Sequence, residues 1–364
     1  MKAAVLYETG KPFVIEEVVL DPPKAHEVRV RIAAAGVCRS DLHFMKGHAL
    51  IPLPAVLGHE GSAIVEEIGE GVTTVNPGDH VILSFVPHCG HCNSCLTGHP
   101  NLCDTHLATG AKLFDGTSRL HVNGKDAAHM GKVACFAEQA VVPETGCIRI
   151  SDNVPLDVAA LIGCSVTTGV GSALYSAEVQ PGSTVVVIGC GGVGLNVIQG
   201  ARLLNAGKII AVDINEAALE FATRFGATDS VNPANEDALM RIKELTGGRG
   251  ADYTFEVFGS SETAKLAFDA AGKRGMVVMV GIAPVGDTAP IDMVALVRHE
   301  KTFKGSYYGS SRPSLDMHHM IDLYQSGKLD LDGLVTRQYT LDQINEAYEG
   351  LDKGVVGRGV IIFS

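Results

Sequence analysis

From residue 184 to about 305 the chain repeats one pattern: a short apolar run, a turn, then a stretch of helical period. TVVVIG (184–189), KIIAVD, DSVN, DYTFEVFG and GMVVMVG read as strands. GVGLNVIQGARLLNA, EAALEFATRFGA, ALMRIKELTGG and ETAKLAFDAAG read as the helices between them. An apolar run without polar alternation needs cover on both faces, and helices packed on each side of a sheet provide it. That order of elements predicts a parallel, doubly wound sheet.

The turn after the first strand is GCGGVG, with Gly189, Gly191 and Gly194 at the spacing G-x-G-x-x-G. Between a strand and a helix this turn brings backbone close to a pyrophosphate at the helix N-terminus. The expected contacts are Gly189, Gly191, Gly192, Val193 and Gly194. Asp213 ends the next strand, 19 residues after Gly194. Its carboxylate would accept from the adenosine ribose and repel a 2′-phosphate. Ile214 to Ala218 hold no Arg or Lys to offset that charge, so NAD is favoured over NADP.

The first ~160 residues differ. MKAAVL, VRVRIAAAG and SAIVEEIG read as strands, Pro77-Gly78-Asp79 as a turn, and no stretch of helical period stands out. After about 309 the pattern is mixed, with a helix near 315–326 and a last strand GVIIF. The expected organisation is a β-rich domain, 1–165 with 309–364, interrupted by the dinucleotide domain, 166–308. A formal charge of −12 argues against a general nucleic-acid binder. The N-terminus has no apolar run of signal length, and no run approaches the ~18 residues of a membrane span. The expectation is a soluble, cytoplasmic protein that acts on a small molecule, without nucleic acid or membrane.

CGHCNSCLTGHPNLC (89–103) holds Cys89, Cys92, Cys95 and Cys103, four of nine cysteines. Two-residue gaps and an odd total suit thiolate metal ligation better than disulfides. Four thiolates close a zinc shell and leave no place for substrate, so this lobe (88–104) reads as structural. His88, His91 and His99 are surplus and read as solvated loop residues. Cys135, Cys147 and Cys190 read as ordinary small residues. Other candidates are scattered: Cys38 in GVCRSDLHF, His59 and Glu60 in GHEGSAIVEEIG, Cys164 in IGCSVTTGVG. Cys38, His59 and Cys164 together would leave a fourth metal position open.

The sequence resembles the zinc-dependent medium-chain alcohol dehydrogenases. The matching marks are GVCRSDLH, GHEGSAIVEEIGEGV, the cysteine lobe, DGTSR (115–119), GCSVTTGVGSA, GCGGVG with Asp213, and VGRGVIIF, in family order over nearly the whole chain. The two-cysteine, one-histidine shell is known for alcohol dehydrogenase itself, so assigning it to Cys38, His59 and Cys164 is recognition. The resemblance implies a GroES-like catalytic domain interrupted by a Rossmann domain, two zinc ions per chain, NAD, and a homodimer or homotetramer. Glu60 would stand behind the catalytic zinc, and Asp41 would orient the ring of His59. Ser40 would touch the substrate hydroxyl, and His43 would pass its proton outward through the nicotinamide ribose. Arg39 and Arg358 would contact the pyrophosphate. Thr168, Val257, Val280, Gly281 and Ile282 would line the nicotinamide. A zinc ion lowers the pKa of bound water from 15.7 to about 7, and an alcohol hydroxyl needs similar help before hydride can leave its carbon.

A branch that oxidises the glutathione adduct of formaldehyde carries an arginine after the lobe's last cysteine and an acid after the first zinc cysteine's segment. CDTHLATG and MKGHALIP have neither. Phe44, Leu107 and Leu113 are expected to make the substrate region apolar, for a primary aliphatic or aromatic alcohol. CDTHLATGAKLFDGTSR, FAEQAVVPE and SALYSAEVQPGSTVVV also resemble bacterial nicotinoprotein members that keep NAD bound and use an external electron acceptor. The other readings are a zinc-free quinone reductase, which the metal residues oppose, and a non-catalytic binding protein, which Ser40 and His43 oppose.

Overall fold

The computed structural model describes residues 1–363. Its contacts divide the chain into two compact units, one of residues 1–165 with those from 312 onward, the other of 166–311.

The first unit is built on one long strand. In Glu27–Gly36, Val28, Val30 and Ile32 point into the core, while Arg29 and Arg31 face outward near Glu66 and Glu67 of the next strand. Along one edge it pairs with Gly61–Ile68. Its ten residues are long enough for two partners on the other edge, Gln139–Pro143 at one end and Arg358–Ile362 at the other. Gly61–Ile68 then pairs with His80–Leu83, and Cys147–Ile150 and Val335–Tyr339 at the two ends bring the sheet to seven strands. A four-stranded and a three-stranded sheet complete this unit.

This β-rich unit contains helices that no hydrophobic period announces. Arg39–Lys46 has only two buried residues, Asp41 and Leu42, and it stops at Gly47 in the left-handed region (φ 76°). Leu156–Ser176 is one 21-residue helix, apolar enough to cross a membrane by composition, but 83% of its most apolar window is buried. It is apolar nearly all round, as a core helix is, and its Gly and Thr content hides it from a propensity reading.

The second unit has six parallel strands. Their spatial order is Asp229–Val231, Lys208–Val212, Thr184–Ile188, Ala251–Glu256, Ala271–Met279, Thr302–Gly305. In sequence terms that is 3-2-1-4-5-6, the order of dinucleotide-binding sheets. Ile188 is in register with Val212 on one side and Glu256 on the other, so the turns after three strands meet at the switch point.

Candidate metal and cofactor sites

Sheet register assembles the first pocket. Ala35 pairs with Gly61, Gly36 with Val360, and Gly61 with Leu83. Residues just beyond these pairs therefore share one end of the sheet: Cys38, His59 with Glu60, and Arg358. Cys164 joins them from the π-helical turn Ile162–Val166. Gly163 lets that turn lie against the sheet, since a Cβ there would stand 2.8 Å from the Leu83 carbonyl oxygen. One ligand atom each from Cys38, His59 and Cys164, all buried, lie within 4.8 Å of one another.

The donor set fits a zinc ion. Asp41 Oδ1 lies 3.3 Å from His59 Nδ1 and accepts from the Gly58 N–H at 2.9 Å. That leaves His59 Nε2 buried with no hydrogen-bond partner beside two thiols, an arrangement a cation resolves. A hydrogen bond from Cys164 draws the Cys38 thiol well below its ordinary pKa despite burial, helped by His59 and Arg358. Cys164, the donor of that bond and itself buried, is held well above. Burial opposes charge on His59, but Asp41 and Cys38 outweigh it and raise its pKa well above the usual value. Phe85 packs edge-on against the His59 ring at 5.3 Å.

Behind this pocket Glu60 Oε1 accepts from the Ser165 hydroxyl (2.6 Å) and N–H (3.1 Å), and Oε2 accepts from Arg358. Gly36 makes room for that carboxylate, since a Cβ would stand 2.7 Å from it. In front, the Arg39–Lys46 helix begins at Cys38, so Ser40 follows a ligand directly and His43 lies three residues further on the same face. The Cys38 thiol donates to Ser40 Oγ at 3.8 Å. Burial and the positive charge of His48, Arg39 and Lys46 lower the pKa of His43.

The four-cysteine lobe forms a second cluster, its sulfurs also within 4.8 Å of one another. The N–H groups of Cys89 and Cys92 point at Cys103 Sγ (3.3 Å) and Cys89 Sγ (3.4 Å). Burial opposes ionisation of Cys89, but a side-chain donor from Thr105 and the N–H groups of His91 and Cys92 bring it to about 6. The lobe buries little, with Leu96 74% exposed, so metal binding there supplies folding energy that apolar packing does not. Lys132, wholly buried, ties the lobe's last helix down by donating to the His106 and Gly110 carbonyls at 3.0 and 2.7 Å.

In the second unit, Gly189 has φ 100°, and a Cβ on Gly194 would fall 1.8 Å from the Gly189 carbonyl oxygen. A Cβ on Gly191 would meet nothing within 4 Å. The need for glycine there comes from outside the protein, as it does where a pyrophosphate lies on the turn. Asp213 accepts from the Cys190 N–H at 2.8 Å, which sets its carboxylate beside the turn. Gly192, Val193, Thr168, Val257, Val280 and Gly281 are partly exposed, and Ile282 more fully. Glu256 organises the two loops that carry Val257 and Val280 to Ile282. Its side chain accepts from the Phe258 and Gly259 N–H groups (2.9 and 2.7 Å), and its carbonyl from those of Val280 and Gly281.

Several expected placements differ. Leu113 is wholly buried in the core and Leu107 is 61% exposed, so they do not form one surface with Phe44; Phe85 is the apolar side chain against His59. His88 is no solvated loop residue: its Nδ1 is buried without a partner. Arg358, expected at a pyrophosphate, is buried and paired with Glu60, because the Val360–Gly36 register carries it to the metal end of the sheet. Arg39 is exposed on its helix. Nothing local in the sequence marks Ser165 or Glu256; Phe85 carries a signal, an aromatic between a strand end and the metal lobe.

Residues 24–152 match the alcohol dehydrogenase GroES-like domain, and residues 192–326 the zinc-binding dehydrogenase domain. The chain is 42% identical over 369 residues to an NDMA-dependent alcohol dehydrogenase of Amycolatopsis methanolica, covering 100% of this chain and 99% of the relative. It is 41% identical over 372 residues to an S-(hydroxymethyl)glutathione dehydrogenase of Saccharomyces cerevisiae, covering 99% and 95%. Its fold is similar to the crystal structure of benzyl alcohol dehydrogenase from Acinetobacter calcoaceticus, with a TM-score of 0.94, 35% identity and coverage of 100% and 99%. With two cysteines and one histidine gathered in one unit and a dinucleotide turn in the other, the chain belongs to the zinc-dependent medium-chain alcohol dehydrogenases, NAD-dependent oxidoreductases with a GroES-like and a Rossmann domain.

Proposed function

We propose that the chain oxidises primary alcohols of apolar, aliphatic or aromatic character to aldehydes, reversibly. The observation that carries this reading is the orphaned Nε2 of His59 beside Cys38 and Cys164, with Ser40 next to the ligand set. A zinc ion held by Cys38, His59 and Cys164 would supply the acidity the alcohol hydroxyl needs, and bound NAD would supply the hydride acceptor. The hydroxyl proton passes to Ser40, whose own O–H donates onward to His43. With its pKa lowered, His43 is neutral near pH 7 and able to accept. Asp41 fixes the ring of His59. Glu60 holds Arg358 behind the pocket, where the guanidinium balances thiolate charge. Phe85 against His59 supports an apolar substrate.

In the same reading Cys89, Cys92, Cys95 and Cys103 hold a structural zinc. Gly189, Gly191, Gly192, Val193 and Gly194 take the pyrophosphate, and Asp213 takes the ribose. Thr168, Val257, Val280, Gly281 and Ile282 face the nicotinamide. Residues 1–165 with 309–364 form the catalytic domain and 166–308 the NAD domain, a division the contact units support to within three residues. The enzyme works in the cytoplasm, where free cysteines stay reduced, and as a homo-oligomer. Support for the latter is the edge strand Thr302–Gly305, exposed at every residue, with Met293, Val294 and Val297 exposed on the helix that precedes it in sequence.

A second reading keeps NAD bound through turnover and passes electrons to an external acceptor; the 42% identity to an NDMA-dependent relative favours it. Purified protein mixed with free NAD and ethanol, longer alcohols or benzyl alcohol separates the two. Steady NADH formation is expected for the first. No NADH, with NAD released on denaturation and turnover restored by an artificial acceptor, supports the second. No turnover under either condition overturns both.

A further inference from the structure

Two buried polar atoms in the catalytic unit have no hydrogen-bond partner although their side chains are neighbours: Asp41 Oδ2 and Tyr348 Oη. Asp41 is wholly buried on the Arg39–Lys46 helix, and its other oxygen is already committed to Gly58 and His59. Tyr348 comes from the Ile344–Asp352 helix, some 300 residues later, and is 2% exposed. Its ring is wedged between Phe13 and Phe136, with centroids 5.7 and 5.9 Å away, which restricts where the hydroxyl can point. The helix that carries it is pinned on both sides. Asn345 exchanges two hydrogen bonds with the Phe13 backbone, at 2.9 and 3.0 Å, and Asp352 pairs with Lys46 of the Asp41 helix at 2.5 Å. The polar groups that face the phenol oxygen are the Asp41 carboxylate and the Cys38 backbone N–H. A carboxylate oxygen can only accept and a backbone N–H can only donate, so the one hydrogen of the phenol goes to the carboxylate.

We propose that Tyr348 is a positioning residue of the metal pocket: its hydroxyl donates to Asp41 Oδ2 and so fixes the carboxylate that fixes His59. The C-terminal helix thereby reaches a metal ligand through a single side chain. Were Tyr348 only filling the aromatic cluster, phenylalanine would serve as well. The proposal rests on Cys38, His59 and Cys164 being the catalytic zinc site, and the experiment separates the two.

The test is Tyr348→Phe, which keeps the packing and removes one oxygen. Zinc release to a chelator is followed at both sites, told apart by cobalt substitution, since two- and four-thiolate cobalt sites differ in their visible spectra. Release from the pocket should be about tenfold faster in Tyr348→Phe, the low end of the loss expected for an outer partner of a metal ligand. Release from the four-cysteine site should not change. Asp41→Ala and the double variant should release at the same rate, because Tyr348 acts through Asp41. Unchanged release in Tyr348→Phe overturns the proposal, as does equal acceleration at both sites, or additivity in the double variant. An unsubstituted protein that binds only one metal overturns the site reading itself, and this proposal with it.

Discussion

Gly191 and Gly194 sit in one turn, yet a methyl group would act on different equilibria at the two positions. At Gly194 it would collide with the Gly189 carbonyl oxygen at 1.8 Å, and the turn would have to open. Gly194→Ala should cost about 3 kcal/mol or more in chemical denaturation. At Gly191 the backbone is extended (φ −75°) and the added carbon meets nothing in the protein. Gly191→Ala should leave the denaturation midpoint in place and weaken NAD about tenfold or more by calorimetry, an effect of ~1–3 kcal/mol. A second residue-scale effect concerns pH. His129 is wholly buried, and burial together with Arg119 and Lys132 lowers its pKa from 6.5 to about 3. The unfolded chain binds that proton first, so this contribution to stability is complete above pH 6.5 and declines as pH falls toward 3. His129→Gln should flatten the slope of stability against pH in that window by up to ~1.4 kcal/mol per unit, whatever it does to absolute stability. An unchanged slope would mean that His129 is already protonated in the folded protein.

At the level of elements, the metal pocket depends on a helix lying close to a sheet. Gly163 faces the Leu83 carbonyl oxygen, and its neighbour Cys164 is a ligand. Gly163→Ala would push the π-helical turn outward and withdraw Cys164 from His59. The expected result, read by elemental analysis after mild chelation, is about one zinc per chain instead of two, with the four-cysteine site filled. Two retained zinc ions would show that the turn tolerates the shift. These elements were also the least legible in the sequence. Five of the six strands of the second unit could be read, TVVVIG, KIIAVD and GMVVMVG most directly because they are apolar runs, while the exposed TFKG of Thr302–Gly305 gives no such run; the six residues from Gly189 to Gly194 carry their own spacing rule. RSDLHFMK is too short and too polar to show a period, and IGCSVTTGVGSALYS, though apolar, is rich in Gly, Thr and Ser, which favour helix poorly. The metal ligands were found by resemblance in motifs whose helical setting stayed hidden. Tyr348, Ser165 and Glu256 act through contacts between residues far apart in sequence, and no local pattern encodes those.

For the whole molecule, the exposed strand Thr302–Gly305 is a sheet edge with backbone groups open to pairing, and Val294 and Val297 on the helix that precedes it in sequence are 59% and 71% exposed. If this edge joins two copies, Val294→Glu with Val297→Glu should convert the protein to single chains in analytical ultracentrifugation while each chain stays folded. An unchanged mass would place any assembly elsewhere on the surface. A different consequence follows from where the chain passes from the first unit to the second. The passage at 165/166 falls inside the Leu156–Ser176 helix, not in a loop. For protein engineering, the first of the two passages is therefore a helix interior and not a linker. A chimera cut there must splice helix to helix in phase, because one residue too many or too few turns everything beyond the junction by about 100°.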